Sequence, residues 1–361
     1  MKIEEMDKDR ITVLITGCGG AGSLGREIMK AFEMSHHPYK IIATNSSPLS
    51  VGLFETSHSY LIPQANSSKY IQILLEICKN DKVQILVPGT EQELEIITRN
   101  STLFYKNNIT VLSNPLRVIE ICSDKYRLMK FLLSKGLSCP KTYLYDESDL
   151  EAINSFPVII KPNSGSGSRN VYLAQDIDEL VFFCKYIKKY GSEPIIQEYI
   201  PNIENEFTVG ILYADKGKLS TSIAMKRILK GNLSTRQVMI SPNSNEKFVI
   251  SSGISQGLFD EFMEVREYAL KIAELIGADG PVNIQCRKID DKITVFEINP
   301  RFSGTVGARS LVGHNEPDIL TRYKLFSEIP NANNYRYGYV MKDFKEKFIL
   351  ESQISNLQNY V

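Results

Sequence analysis

The alternation of apolar strands and amphipathic helices over the first 115 residues most constrains what this chain can fold into. Residues 10–17 (RITVLITG) form an apolar run that ends at a glycine, residues 26–34 have helical spacing, and residues 40–45 (KIIATN) have the pattern of a second strand. The alternation recurs between residues 69 and 114. Because neighbouring parallel strands need a crossover helix, the pattern predicts a doubly wound, Rossmann-like α/β domain over residues 1–115, with helices on both faces of a parallel sheet.

The rest of the chain changes to an α+β pattern of short strands separated by helices and turns. A helix opens this part, with Ser123 predicted as its N-cap and Gly136 as its end. The residues predicted to be buried on this helix are Leu128, Met129, Leu132 and Leu133. The predicted boundaries are 116–200 and 201–330 for two subdomains, and 331–361 for a terminal strand and tail.

Composition and charge exclude several classes of protein. Of the 361 residues 43% are hydrophobic, enough for a large core, and basic and acidic residues number 42 each, so no net field attracts a nucleic acid. Six scattered cysteines without a C-x-x-C pair, and only four histidines, indicate reduced, mostly buried thiols and no zinc site. The charged N-terminus, and the lack of any run of about 18 apolar residues, predict a cytoplasmic protein without membrane contact.

The first of two glycine-rich turns, GCGGAG, matches the dinucleotide pattern G-x-G-x-x-G through Gly17, Gly19 and Gly22. It follows a predicted strand and precedes a predicted helix, which is typical of an NAD site. Such a site also needs an acidic residue near the end of the second strand, and residues 44–47 (TNSS) lack one. We therefore favour glycines that only permit a tight turn and close helix packing, with NAD binding as the alternative.

The second turn lies in KPNSGSGSRN, residues 161–170. It is not a Walker A loop, because its lysine precedes the glycines. Its backbone N–H groups and small side chains suit a mobile cover over a polyphosphate, and the alternative is a flexible hairpin tip. Lys161 favours the first interpretation, because a lysine that points inward from a strand is costly unless an anion meets it.

Two strands near residue 290 carry polar rows on one face. In VNIQC (282–286) and VFEIN (295–299) polar and apolar side chains alternate, and KIDDK joins the strands in a tight reversal. A three-residue loop, 290–292 (DDK), pairs Gln285 with Glu297, whereas a two-residue loop does not bring the polar rows together. The three-residue loop is therefore predicted.

This register clusters Gln285, Glu297 and Asn299. Oxygen ligands of this kind suit Mg²⁺, a hard ion that takes one or two carboxylates and completes its shell with water and substrate phosphates. Glu297 is then placed to bridge two ions, with Gln285 on one and Asn299 on the other. The alternative is a hydrogen-bonded polar face on a half-exposed hairpin.

Between about residues 10 and 330 the chain resembles the ATP-grasp enzymes, in particular carboxylate–amine ligases related to the large subunit of carbamoyl phosphate synthetase. No single segment is diagnostic, but the order and spacing of several are. The segments that carry the resemblance are SDK (123–125), VIIKPNSGSGSRNV (158–171), IIQEYIPNIENEF (195–207), VNIQ (282–285) and FEINPRFSG (296–304). The resemblance implies an ATP-grasp fold behind the N-terminal parallel-sheet domain.

The resemblance also implies roles for individual residues. Lys125 and Lys161 contact the nucleotide phosphates, Glu206 reaches the ribose hydroxyls, and Arg301 is the catalytic residue that faces the transferred phosphoryl group. The implied lid over the phosphates is Ser164, Gly165, Ser166, Gly167 and Ser168. The implied hinge beside adenine is Glu198, Tyr199 and Ile200. The implied ligands of two Mg²⁺ ions, which Mn²⁺ can replace, are Gln285, Glu297 and Asn299.

Two features depart from the family pattern. Gln285 stands where many relatives have a carboxylate, which implies weaker metal binding, although the carbamoyl phosphate synthetase branch also has the amide. The segment between Ile200 and Glu206 is slightly long, which bears on the ribose assignment.

Contacts to the substrate that accepts the phosphoryl group are implied for the loop after the metal strand, at Ser303, Gly304 and Thr305, and upstream at Arg227. From the residues alone, the basic pair in MKR is more typical of a solvated strand end than of a clamp for an acidic substrate. Glu91 and Glu93 follow VPGT and are placed to hold a substrate amine, but acidic residues are also favoured at a helix start. We favour the helix start.

The resulting prediction is an ATP-dependent ligase. It phosphorylates a carboxylate to an acyl phosphate, couples it to an amine or a related nucleophile, and releases ADP and phosphate. Its partners are small-molecule substrates, and the resemblance implies a homodimer. Two alternatives stay open from the sequence: an NAD(P)-binding oxidoreductase that uses GCGGAG, and an ATP-binding regulator without catalysis.

Overall fold

A computed structural model describes residues 10–148, 150–165, 167, 169–201, 203–230, 233–240, 247–329 and 334–361. Its first part is the predicted α/β unit, in which the strands run parallel in the spatial order β3-β2-β1-β4-β5. The strands are β1 (Ile11–Ile15), β2 (Tyr39–Asn45), β3 (His58–Leu61), β4 (Ile85–Val87) and β5 (Thr110–Val111). The helices are α1 (Leu24–Glu33), α2 (Tyr70–Asn80), α3 (Glu91–Arg99) and α4 (Ser101–Tyr105). The predicted parallel sheet is confirmed.

The helix pair that follows corrects one sequence prediction. The two helices are α5 (Leu116–Ser123) and α6 (Lys125–Ser134). Ser123 ends α5, and the N-cap of α6 is Asp124, whose carboxylate accepts a hydrogen bond from the backbone N–H of Arg127 at 2.9 Å. The predicted burial of Leu128, Met129 and Leu132 is confirmed, but Leu133 is 50% exposed because it lies on the outer face of α6.

A four-stranded antiparallel sheet follows, with strand order β6-β9-β7-β8. Its elements are β6 (Thr142–Leu144), β7 (Val158–Pro162), β8 (Tyr172–Ala174), α7 (Ile177–Lys189) and β9 (Pro194–Glu198). Residues 163–171, between β7 and β8, contain the second glycine-rich turn. The predicted lid residues Ser166 and Ser168 lie outside the residues that the structure describes.

The largest antiparallel sheet has the order β16-β15-β10-β11-β14-β17. Its strands are β10 (Glu206–Ala214), β11 (Leu219–Arg227), β14 (Gly257–Phe259), β15 (Gly280–Ile289), β16 (Lys292–Asn299) and β17 (Gly338–Val340). Between β11 and β14 in the chain, β12 (Thr235–Ile240) and β13 (Lys247–Ser251) form a separate two-stranded ribbon. The helices of this part are α8 (Met263–Leu275), α9 (Val306–Leu311) and α10 (Glu316–Phe326). One apolar core joins α9 and α10 to the N-terminal sheet, so the two sheets are packed through shared helices.

The C-terminal segment connects the two sheets. After β17 on the edge of the largest sheet, the chain crosses to the N-terminal sheet, where β18 lies parallel to β3. The last elements are α11 (Glu351–Ser355) and β18 (Gln358–Asn359). The subdomain boundaries at 116, 201 and 331 stay predictions.

The cysteines and the helices bear on two further expectations. Five of the six cysteines are buried, as predicted, and burial raises the pKa of thiols such as Cys122 to about 12. Among the residues that the structure describes, no helix has both the length and the apolar character needed to cross a bilayer.

Candidate active site

The hairpin of β15 and β16 brings the predicted metal ligands together by an unexpected route. The loop has two residues, since Ile289 pairs with Lys292, so the predicted three-residue loop is wrong. Asp290 has a left-handed φ of +50°, which permits this tight turn. A β-bulge at Phe296 then shifts the register by one residue, and Gln285 pairs with Glu297 as predicted.

The three side chains on this face contact one another directly. The Gln285 amide donates to Glu297 Oε2 and the Asn299 amide donates to Glu297 Oε1, each at 3.1 Å. Within the described ranges, no group of three or more His, Cys, Asp or Glu side chains is placed to share a metal ion. One carboxylate and two amides nevertheless supply oxygen donors, the type that Mg²⁺ takes together with water and phosphate oxygens, so this donor set fits the predicted ion.

Two lysines lie near Glu297, of which Lys161 is buried and Lys125 is half-buried. Lys161 on β7 is 7% exposed, and its Nζ donates to Gln197 Oε1 at 2.7 Å. Burial lowers the pKa of Lys161 to about 8, although the nearby Glu297 acts in the opposite direction. Burial also lowers the pKa of Lys125, against the attraction of Glu297 and Glu91. The two ammonium groups are therefore partly or fully removed from water beside Glu297, and this favours an incoming anion.

The second glycine-rich turn is fastened at its base to the start of α6. Lys125 Nζ donates to the carbonyl of Gly165 at 2.6 Å, and the backbone N–H of Tyr126 donates to Asn163 Oδ1 at 2.9 Å. Ser164, Gly165 and Gly167 are exposed at the surface of the turn. Lys125 thus connects the predicted phosphate cover to the cleft that contains Glu297.

Arg301 lies just beyond β16 and reaches across to the N-terminal sheet. Its NH2 pairs with Glu91 Oε1 at 3.0 Å and also donates to Asn299 Oδ1 at 3.3 Å. Glu91 begins α3, as its acidic character predicted, but it also belongs to the site. Glu93 does not, because its buried carboxylate accepts hydrogen bonds from Tyr70 and Thr90.

Glu206 is fully buried between two arginines. Its Oε1 pairs with Arg227 at 2.6 Å and its Oε2 pairs with Arg287 at 2.8 Å. Burial alone would raise the pKa of Glu206, but the two guanidinium groups outweigh it and hold the pKa below its ordinary value. Both oxygens are engaged in this conformation, and contact with ribose hydroxyls stays a prediction.

Arg227 differs from the expectation for MKR. It is buried, and besides Glu206 it contacts Gln285 Oε1 at 3.4 Å and the carbonyl of Ser252 at 2.8 Å. The interpretation of this arginine as a solvated strand end is wrong, because β11 directs it into the interior towards Glu206 and Gln285. Its predicted contact with substrate is not visible in this arrangement and stays a prediction.

The predicted adenine hinge follows β9. Glu198 accepts a hydrogen bond from the backbone N–H of Lys141 at 3.2 Å, and the Tyr199 hydroxyl accepts one from Val249 N at 3.0 Å. The carbonyl of Ile200 accepts one from Arg287. Sequence reasoning missed Arg287, although it continues the polar row of Gln285 by one step along β15. A chain of contacts through Glu206 therefore joins the predicted hinge to the face of the β15–β16 hairpin that carries Gln285 and Glu297.

The loop 303–305, after β16, is held by several hydrogen bonds. Ser303 and Thr305 are buried, and the Thr305 hydroxyl contacts the Ser303 hydroxyl at 2.8 Å. The carbonyl of Gly304 accepts a hydrogen bond from Lys342 Nζ at 3.1 Å. Lys342 was not among the predicted site residues. It lies far along the chain from the motifs, and nothing in the sequence around it indicates this contact.

One pocket collects several of these groups. Its lining includes the predicted site residues Lys125, Gly165, Glu297 and Asn299, together with Glu91. Apolar side chains from α5 and α6 form its floor, among them Ile119, Leu128 and Met129. Residues that are far apart in the chain therefore converge on one cleft.

Two family models match successive parts of the chain. A family model described as an ATP-grasp domain matches residues 122–305, and a PylC-like N-terminal domain matches residues 13–112. The carbamoyl phosphate synthase large chain of Thermotoga maritima is 23% identical over 365 residues, which cover 93% of this chain and 31% of that protein. The chain thus spans about a third of the length of this relative.

Solved structures show the same fold. A biotin carboxylase complex with β,γ-ATP from Campylobacter jejuni matches with a TM-score of 0.64 at 16% identity, over 93% of this chain and 75% of that one. An L-amino acid ligase from Bacillus licheniformis matches with a TM-score of 0.62 at 14% identity, over 88% and 74% of the two chains.

Proposed function

The chain belongs to the ATP-grasp family, and from that membership we propose that it is an ATP-dependent ligase that couples a carboxylate to an amine. The observation that carries the proposal is a cleft beside a glycine-rich turn that Lys125 and Glu297 line. Lys161 lies close enough to Glu297 for the two charges to interact, and Arg301 pairs with Glu91 on the same lining. A carboxylate is a poor electrophile and must be activated before an amine attacks it.

The proposed reaction has two steps. A carboxylate oxygen of the substrate attacks the γ-phosphorus of ATP, the bond to the β,γ-bridging oxygen breaks, and ADP leaves with an acyl phosphate formed. The amine nitrogen then attacks the acyl carbon, inorganic phosphate leaves, and the nitrogen loses a proton. The identity of the carboxylate and of the amine is not part of the proposal.

The cations of the cleft address the electrostatic problem of the first step, in which two anions approach each other. Lys125 and Lys161 are placed to neutralise nucleotide phosphates, and Arg301 to stabilise the transferred phosphoryl group. Such preorganised charges contribute about several kcal/mol to a transition state. The Arg301 guanidinium is paired with Glu91 in this conformation. To contact the phosphoryl group, it has to break this ion pair or contact Glu91 and the phosphoryl group together.

Magnesium fits the donor set of Gln285, Glu297 and Asn299, which would hold it against the nucleotide phosphates. When bound it supplies further positive charge to the phosphates. The glycine-rich turn would cover the nucleotide and exclude water, which protects an acyl phosphate from hydrolysis. The hinge at Glu198, Tyr199 and Ile200 is the proposed adenine site. A homodimer and a cytoplasmic location stay predictions.

The test is ADP release from Mg-ATP against a panel of amino acids, dipeptides and small carboxylic acids, each with and without an added amine. Release that requires both a carboxylate and an amine is the expected result. Release that ignores the carboxylate contradicts a ligase. Binding of Mg-ATP by calorimetry without any release would instead favour the regulator.

A pair of hairpin variants tests the metal assignment in the same assay. Glu297→Ala should reduce turnover by about a thousandfold or more, because it removes the only carboxylate among the proposed ligands. Asp291→Ala, at the exposed tip of the same hairpin, should retain full activity. Circular dichroism of both variants controls for folding. Wild-type turnover in Glu297→Ala would remove the metal assignment.

A further inference from the structure

Lys342 is a half-buried cation at the junction of three parts of the molecule. It follows β17, and its side chain is 14% exposed. Its Nζ lies 3.1 Å from Glu27 Oε2 on α1 and 3.1 Å from the carbonyl of Gly304, in the loop after the metal strand. Its residue number places it beyond both matched family models, which end at 112 and 305, so neither model accounts for it.

The partner of this lysine is itself held firmly. Glu27 is buried, its Oε1 pairs with Lys30 at 3.0 Å, and its Oε2 pairs with Lys342. The first turn of α9 leaves room for this carboxylate, because a Cβ at Gly307 would lie 2.7 Å from Glu27 Oε2. The N-terminal sheet domain, the loop 303–305 and the C-terminal segment therefore meet at one ammonium group.

We propose that Lys342 is a positioning residue that holds the loop 303–305 in place for the substrate that accepts the phosphoryl group. This inference rests on the proposed function. The loop follows Arg301 directly and contains Ser303 and Thr305, whose hydroxyls contact each other. Because Lys342 anchors the carbonyl between these two residues to α1, it fixes the direction in which both side chains face.

An apolar side chain could fill a purely structural role without the free-energy cost of removing an ammonium group from water. Burial disfavours the charged form and lowers the pKa of Lys342, while Glu27 acts in the opposite direction. An ammonium that carries this cost, and donates to a backbone carbonyl of a substrate loop, is better explained by the orientation of that loop.

Lys347 offers a matched control on the same segment. It also connects the C-terminal segment to the N-terminal domain, by donating to the carbonyl of Phe54. That contact is exposed and does not involve the loop 303–305. The comparison of Lys342→Met with Lys347→Met therefore separates the orientation of the loop from the general attachment of the tail.

The first experiment needs no substrate. Hydrogen exchange of the full chain is followed by mass spectrometry in peptides that cover residues 301–307. Lys342→Met should exchange there about tenfold faster than the wild type, and Lys347→Met should match the wild type. Lys342→Arg, which keeps a donor and a charge, should recover most of the protection. Unchanged exchange in Lys342→Met, with its melting temperature near that of the wild type, would overturn the proposal.

The second experiment uses the carboxylate and amine pair that gives most ADP release in the panel. Lys342→Met should raise the KM for the carboxylate at least tenfold, while the KM for ATP changes less than twofold. If both constants rise equally, or if exchange changes without any effect on the carboxylate, Lys342 has only a structural role and the proposal fails. If no pair in the panel is turned over, the proposed function fails, and the exchange result still decides whether Lys342 holds the loop.

Discussion

The two glycine-rich turns use the same residue type for different physical reasons. In the first turn a Cβ at Gly17 would lie 2.6 Å from Thr90 Cγ2 and 2.8 Å from Glu93 Oε2. In the second turn a Cβ at Gly165 or Gly167 would meet no described heavy atom within 4 Å. Both turns contain left-handed glycines, but Gly17 in the first turn also permits close packing, whereas Gly165 and Gly167 in the second lie in open space.

The charges near the two turns differ in the same sense. The buried carboxylate of Glu93, whose pKa burial raises, lies under the first turn. The buried ammonium of Lys161 precedes the second turn. A phosphate group therefore finds a favourable partner at the second turn and a carboxylate at the first. This difference favours the interpretation of GCGGAG as packing glycines and of residues 164–168 as the predicted phosphate cover.

The largest expected effect is on stability, and it comes from the first turn. Gly17→Ala places a methyl group against Thr90 and Glu93 and forces alanine into a φ of +62°. Overpacking together with the left-handed backbone should lower the free energy of unfolding by roughly 3 kcal/mol. Urea denaturation followed by circular dichroism measures this loss.

Gly20→Ala is the control in the same turn, because a Cβ there would meet no described atom within 4 Å and its φ is not left-handed. It should change the free energy of unfolding by about 0.5 kcal/mol or less. Equal effects of the two variants would contradict a packing role for Gly17.

The second expected effect is on nucleotide binding, and it sharpens the charge difference. Because burial lowers the pKa of Lys161 to about 8, the free enzyme loses this positive charge as the pH rises through that value. The affinity for Mg-ATP should therefore fall by about tenfold between pH 7 and pH 9, as measured by calorimetry.

Lys161→Arg is the control for this pH dependence, since a guanidinium stays protonated over the same range. Its affinity should vary little between pH 7 and pH 9. The same tenfold decrease in both proteins would mean that another group titrates, and Lys161 would then lose its assigned part in phosphate binding.

The sequence predicted the fold where the pattern is local. The alternation of strands and helices predicted the N-terminal sheet, because each element has a pattern that is recognisable within about ten residues. It did not predict β3, whose sequence HSYL is short and polar, or the pairing of the terminal strand β18 with β3 from the far end of the chain.

The site was predicted only in part, for a related reason. The pairing of Gln285 with Glu297 was correct, although the loop was not, because the bulge at Phe296 has no sequence signal and compensates for the shorter turn. Glu91 and Lys342 contact residues 210 and 38 positions away, and such contacts cannot be read from spacing. The close packing at the start of α1 also involves Gly25, which lies outside GCGGAG, because a Cβ there would lie 2.4 Å from the carbonyl oxygen of Thr16 just after β1.

The smallest expected effect tests the open turn. Gly167 is exposed and has a φ of +70°, so Gly167→Ala adds backbone strain without a clash with described atoms. If this exposed turn relaxes in the free protein but needs the left-handed backbone to cover the nucleotide, the penalty of about 1 kcal/mol falls on the covered state alone. Turnover should then fall roughly fivefold while the free energy of unfolding changes little. Gly191→Ala, with a φ of +79° and equally open described surroundings at the end of α7, carries the same penalty away from the cleft and should leave turnover unchanged. Equal turnover in the two variants would mean that the second turn is a passive hairpin tip, and the contrast with the first turn would then be one of packing alone.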